Sequence, residues 1–158
     1  MSLNNDADDE ALERIYLDVC VLCRQFDDQR QKRIREETDA LATIIEAVNR
    51  SQYALIVSPA HQMEIGKITS VQKRRDLMTM LQVGTRIVYD DLVALRSRVK
   101  TLTHSGMGVA DATHVAFAEA SEAQFITVDD RLLKQCARLP ILVSYDTPLS
   151  FCDKENLQ

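Results

Sequence analysis

Of the 24 acidic side chains in this chain of 158 residues, four sit where a carboxylate has something to do besides face water. Asp18 interrupts the apolar run RIYLDVCV, and a buried, unpaired carboxylate costs several kcal/mol unless a cation or hydrogen-bond donors receive it. Asp111 opens a run of small residues in which His114, Val115 and Ala118 share its helical face at i+3, i+4 and i+7. Asp129 closes the β-favouring run FITV, and Glu64 lies between Met63 and Ile65 shortly after another such run. Each also has an ordinary reading: a buried ion pair for Asp18, a helix-dipole partner for Asp111, an N-cap for Asp129 and a solvated glutamate at position 64. As a set they are hard oxygen donors suited to Mg2+ or Mn2+, whereas Zn2+ favours His and Cys. Two such ions about 4 Å apart align a water with a phosphodiester and stabilise the attacking and leaving oxygens, so the implied chemistry is phosphodiester hydrolysis without a protein nucleophile.

For these residues to meet, distant segments must reach one rim. Residues 14–21 read as a buried strand, 31–49 as an amphipathic helix with Ile34, Leu41, Ile44, Ile45 and Val48 on one stripe, and 53–57 as a second strand. Ser58 followed by Pro59 marks the start of the helix that carries Glu64, and Ser70 starts the next. A third strand is expected at 86–89, with Asp90 capping the helix after it, then a small-residue helix over 110–122 and a fourth strand over 125–128. Asp129 or Asp130 caps a helix that ends before Pro140, and 141–143 reads as a fifth strand. Strands and helices alternate throughout. That pattern predicts a three-layer α/β fold, a mainly parallel sheet of about five strands with helices on both faces, and functional groups at the carboxyl ends of the strands.

The order of YLDVCVL, an isolated Glu64 in SPAHQMEIGKI, then GVADATHVAFAEA and FITVDDRLL resembles the PIN-domain nucleases, many of which are toxins of bacterial toxin–antitoxin pairs. The resemblance spans residues 14–151, and its specificity lies in the ordered set. It implies that Asp18, Glu64, Asp111 and Asp129 bind Mg2+ or Mn2+ and that Thr127 orients the cluster by hydrogen bonding. It further implies an endoribonuclease acting on single-stranded or loop RNA, a cognate antitoxin partner and a homodimer. The family often has Asn, Ser or Thr where this chain has Cys20, and a thiol is a poorer hydrogen-bond partner.

Composition bounds these readings. The apolar share is 46% and the charged share 27%, which is ordinary for one globular domain. The expected organisation is an acidic N-terminal tail over 1–12, one domain over 13–152 and a short tail over 153–158. Net charge of -5 argues against binding nucleic acid through bulk positive charge, but base is gathered in local runs (Arg30, Lys32, Arg33 and Arg35; Lys73, Arg74 and Arg75; Arg96, Arg98 and Lys100). Arg131 and the group Arg30, Lys32 and Arg33 are candidates for steering phosphates; the plain alternative is solvated helix faces. The start lacks a signal-peptide pattern and no apolar run is long enough to span a bilayer, so a cytoplasmic location without membrane contact is expected. Cys20, Cys23, Cys136 and Cys152 are expected reduced and buried, and the C-x-x-C at 20–23 falls in a predicted strand and its exit, which weakens a redox reading. Two further functions remain open: a catalytically weak or inactive PIN-like module binding RNA or protein, and a phosphatase with Asp18 as nucleophile.

Overall fold

The computed structural model describes residues 11–158; the expected acidic tail lies largely outside them. Five strands form one parallel sheet: β1 (Arg14–Leu17), β2 (Ala54–Val57), β3 (Thr85–Arg86), β4 (Gln124–Ile126) and β5 (Tyr145–Asp146). Their spatial order is β3-β2-β1-β4-β5. Eight helices connect or follow them: α1 (Val19–Cys23), α2 (Lys32–Asn49), α3 (Pro59–Gly66), α4 (Val71–Met80), α5 (Leu92–His104), α6 (Val109–Ala120), α7 (Asp130–Arg138) and α8 (Pro148–Lys154).

Strand alternation divides the core in two. Ile15, Leu17, Leu55, Val57 and Ile126 face Leu41, Ile44 and Val48 of α2 and Phe151 of α8. On the other face Tyr16, Ile56 and Phe125 meet Leu102 of α5, Val115 and Ala118 of α6, and Leu132 of α7. This is the expected three-layer arrangement. The chain reverses its direction of travel across the sheet between β1 and β4, and in open parallel sheets the crevice at such a switch point is where ligands bind. Of residues 153–158, expected as a tail, Asp153 and Lys154 complete α8, Tyr53 donates to Glu155 Oε2 at 2.8 Å and Leu157 packs beside the α2 layer.

β4 and α6 shift by one or two residues from expectation, and four other boundaries differ in kind or place. The first strand stops at Leu17, and residues 19–23 wind into α1 instead of continuing to Val21. Val19, Val21 and Leu22 are all buried, and an apolar run buried on every side carries no period by which strand and helix can be told apart. The third strand is only Thr85–Arg86: Val57 pairs with Arg86, and beyond it β2 has turned into α3, so residues 87–89 have no neighbour to bond. Its following helix is capped by Asp91, not Asp90, with Oδ1 accepting the Ala94 N–H at 2.8 Å. The fifth strand falls at Tyr145–Asp146, not 141–143; β4 sets its register through Phe125 and Ile126, while the Leu142 N–H is held by Glu119 Oε2 at 2.8 Å.

Gly84 enters β3 against the back of β2. A Cβ there would lie 2.3 Å from Val57 Cγ2 and 3.0 Å from the Leu55 carbonyl oxygen. Val57 is a buried β-branched side chain with little room to turn, so Gly84→Ala is expected to lower stability by about 2 kcal/mol. Urea denaturation at neutral pH would show it as a lower midpoint with an unchanged slope.

Candidate metal centre

β1 and β4 end side by side, and their exits supply the first half of the site. Asp18 follows β1, its N–H bonded to the Ile126 carbonyl at 2.9 Å. The residue is 5% exposed. Oδ2 accepts the Thr127 hydroxyl at 2.8 Å and the Cys20 thiol at 3.3 Å. Among the described residues no Lys or Arg forms a salt bridge with it. Burial raises its pKa, opposed by His114 and by the Thr127 and Cys20 hydrogen bonds. A buried carboxylate whose side-chain hydrogen bonds come only from two neutral donors, with no Lys or Arg partner, is one whose charge a hard divalent ion would balance. Thr127 in turn accepts the Asp129 N–H at 3.1 Å, so Asp18, Thr127 and Asp129 form a hydrogen-bonded sequence across the switch point.

The second half comes from α3 and α6. Ser58 and Pro59 start α3 as expected, with Ser58 Oγ accepting the Ala60 N–H. His61 completes a capping box, its Nδ1 accepting the Ser58 N–H at 3.0 Å. One turn on, Glu64 Oε2 lies 2.6 Å from His114 Nε2 of α6. The His114 hydrogen bond, ahead of an opposing burial effect, holds the Glu64 carboxyl below the usual range. Asp18, Glu64 and His114 each present a ligand atom within 4.8 Å of the other two, a group that could hold a metal ion.

Behind this group runs a buried polar chain. His114 is 2% exposed, and its Nδ1 lies 2.6 Å from the Tyr16 hydroxyl, itself 2.7 Å from Ser58 Oγ. One arrangement of protons satisfies every member: Ser58 donates to Tyr16, Tyr16 to His114 Nδ1, and His114 Nε2–H to Glu64. His61 closes the far end, its Nε2–H donating to the Leu17 carbonyl at 2.7 Å, one residue before Asp18. With Nδ1 accepting from backbone and Nε2 donating to a carbonyl, His61 is neutral, and burial pushes its pKa down to about 4. Glu64 and the β1 exit are thus tied through four buried side chains. The sequence marks Ser58 as a cap and His114 as lying on the Asp111 face; it has no sign that Tyr16, Ser58, His61 and His114 touch.

Asp111 and Asp129 fall outside the three-residue group, and of the two Asp111 lies within its field. The Asp111 carboxyl is pushed up to about 6 by burial and then by the charges of Asp18 and Asp129. Asp129 Oδ1 caps α7 through the Arg131 and Leu132 N–H groups at 3.0 and 3.1 Å, so this residue performs the ordinary role alongside any other. The basic candidates divide. The Arg33 guanidinium is engaged within the fold by Asp130, Glu37 and the Val128 carbonyl. Arg30 pairs with Asp28 and Lys32 with Glu36, while the Arg131 side chain forms no salt bridge among the described residues. Cys20 and Cys23 belong to α1, not to a strand, and all four cysteines are free. Cys136 and Cys152 are buried, whereas Cys20 and Cys23 are partly exposed. Cys20 nevertheless does not suit redox chemistry, because burial and the adjacent Asp18 push its thiol well above the ordinary range.

Two opposite proton linkages follow. Asp111 has a folded pKa above its ordinary 3.8, so its contribution to stability falls as pH rises from about 4 to 6. His61 has a folded pKa below its ordinary 6.5, so its contribution, on the order of 3 kcal/mol, is present above pH 6.5 and lost as pH falls toward 4. In the metal-free wild type the two oppose each other. In Asp111→Asn the His61 contribution stands unopposed, and thermal unfolding is expected to show stability rising more steeply between pH 4 and 6.5 than in wild type. Parallel pH profiles for the two proteins would contradict this.

Protein-family models and curated proteins offered no match to this chain. Among solved structures the chain is similar to one described as the crystal structure of FitAcB from Neisseria gonorrhoeae, at 20% identity and a TM-score of 0.49, covering 85% of this chain and 97% of that one. The class that fold and site define from within is a parallel α/β domain with a carboxylate and histidine cluster at its switch point. No described helix is long and apolar enough to cross a membrane.

Proposed function

We propose that this protein is a PIN-like, metal-dependent endoribonuclease, hydrolysing phosphodiesters of single-stranded or loop RNA in the cytoplasm. The observation that carries the reading is the buried Asp18 carboxylate without a cationic partner, beside Glu64 and His114 at the sheet's switch point. A bound Mg2+ or Mn2+ would supply charge neutralisation and activation of water there. In this reading Asp18, Glu64, Asp111 and Asp129 hold the metal, Thr127 and Cys20 orient Asp18, and His114 orients Glu64. Arg131, Arg30 and Lys32 attract phosphate, whereas Arg33 braces the Asp130 end of α7 against α2. The ordered motifs that resemble the PIN-domain nucleases favour a toxin role, with a cognate antitoxin as partner and a homodimer as the assembly.

The test is incubation of purified protein with structured RNA and Mn2+, with and without chelator. Internal cleavage that needs the metal supports the proposal; no cleavage, or cleavage indifferent to chelator, sinks it. Cys20 favours a second reading, a weak or inactive module, because the hydrogen bond it offers Asp18 is a long thiol contact of 3.3 Å. Cys20→Ser separates the two: activity that rises in the variant means that the thiol limits a working site. RNA affinity with no Mn2+-dependent cleavage in either protein favours the binding module.

A further inference from the structure

Glu64 enters the carboxylate cluster with little around it to fix its direction. Its side chain is 43% exposed, whereas that of its partner His114 is 2% exposed. A glutamate so placed has several rotamers open to it, and among the described residues its carboxylate has one hydrogen bond, the 2.6 Å contact from Oε2 to His114 Nε2. That contact attracts only while the imidazole proton sits on Nε2; in the other neutral tautomer Nε2 turns a lone pair toward the carboxylate. Which nitrogen carries the proton is settled on the far side of the ring. There the hydroxyl of the fully buried Tyr16 lies 2.6 Å from Nδ1 and 2.7 Å from Ser58 Oγ. Ser58 Oγ accepts the Ala60 N–H and His61 Nδ1 accepts the Ser58 N–H, so the serine proton is directed to the tyrosine oxygen and the phenol proton is left for His114. The phenol ring is itself held, tilted over His61 at 4.5 Å between ring centres and edge-on to His114 at 5.6 Å.

We propose that Tyr16 is a positioning residue of the metal centre: its hydroxyl proton holds His114 as the Nε2–H tautomer, and His114 in turn aims the Glu64 carboxylate. The inference rests on the metal-dependent reading of the site and adds a residue two hydrogen bonds removed from the carboxylate it controls. The four side chains close a circuit. Ser58 opens α3, Tyr16 belongs to β1 and His114 to α6, and Glu64 returns to α3 within two turns of its start. Each proton in the circuit has one acceptor, so a carboxylate that is free on its solvent side takes its direction from the sheet and from α6.

The experiment uses the full-length chain and Mn2+ alone. Free Mn2+ is read from its electron paramagnetic resonance signal, and the imidazoles of the metal-free protein are read by long-range proton–nitrogen NMR correlation at neutral pH. With three histidines in the chain, the signal lost in His114→Phe is that of His114. It is expected as the Nε2–H tautomer in wild type and as a mixture in Tyr16→Phe, which keeps the ring and removes the proton. Mn2+ affinity should fall about tenfold in Tyr16→Phe, the size typical of groups that orient a metal-binding side chain, and should fall no further when Tyr16→Phe is added to His114→Phe. A phenol that serves packing alone would cost affinity equally in both backgrounds or in neither, and either result overturns the proposal. Wild-type His114 found as the Nδ1–H tautomer overturns it without any variant, because Nε2 would then be bare toward the cluster. Titrations run well below each melting temperature keep stability out of the comparison. Wild type that takes up no Mn2+ defeats the metal-centre reading itself, whereas uptake indifferent to Tyr16→Phe defeats only the positioning role.

Discussion

Asp18→Asn is expected to abolish Mn2+-dependent cleavage, a loss of roughly 10²–10³-fold or more, while making the metal-free protein more stable. The two effects share one cause. Thr127 donates to Asp18 Oδ2 at 2.8 Å, and an asparagine oxygen at that place accepts the same bond. What the substitution removes is a buried negative charge close to Glu64, and an amide N–H₂ in its stead can donate to the neighbouring carboxylate. Relief of that repulsion should contribute about 1 kcal/mol, or about 3 °C in a domain of this size. Mn2+ should then no longer raise the melting temperature. A variant that melts lower than wild type without metal would mean that Asp18 is held by favourable interactions in the apo protein. Cleavage that persists would mean that the RNA is cut elsewhere.

His114→Ala has the second largest expected effect, and here stability and activity fall together. The imidazole is bonded on both sides, to Glu64 Oε2 and to the Tyr16 hydroxyl, each at 2.6 Å. Its removal opens a cavity and leaves the buried Tyr16 hydroxyl short of an acceptor, for a loss of about 3 kcal/mol. Groups that orient metal-binding carboxylates typically alter metal affinity 10–100-fold. The Mn2+ concentration for half-maximal activity should therefore rise by about that factor, while the rate at saturating Mn2+ falls less. His114→Phe fills the space without the hydrogen bonds, so it should recover stability and not metal affinity. If His114→Phe keeps the wild-type Mn2+ midpoint, His114 is packing alone.

Fold legibility depended on where the physics is local. Amphipathic α2, the Ser58–Pro59 start of α3 and the β-α alternation are properties of neighbouring residues, and each stands where the sequence puts it. The run after Asp18 reads as strand and folds as helix because Val19, Val21 and Leu22 are all buried, which erases the period. The third and fifth strands stand away from their expected residues because an edge strand exists only where a neighbour offers bonds: Val57 is the last residue of β2, and β4 selects Tyr145 and Asp146.

The site divides along the same line. Residue type and local context mark Asp18, a carboxylate inside an apolar run, as anomalous, whereas Asp111 and Asp129 at helix starts and Glu64 on a short helix have ordinary readings one by one and stand out only as an ordered set. Only the folded chain brings Glu64 of α3 to His114 of α6, 50 residues apart, and ties both to Tyr16 of β1. Hydrogen-bond partnership across such separations depends on ångström-scale packing of helices on the sheet, and no property of either residue's neighbours encodes it. The same applies to Arg33, which reads as a free cation in sequence and is held by Asp130, 97 residues away, in space. The sequence by itself determined the chemical inventory and the parallel architecture; tertiary structure decided which charges are paired, which are left for a ligand, and which histidine stands behind them.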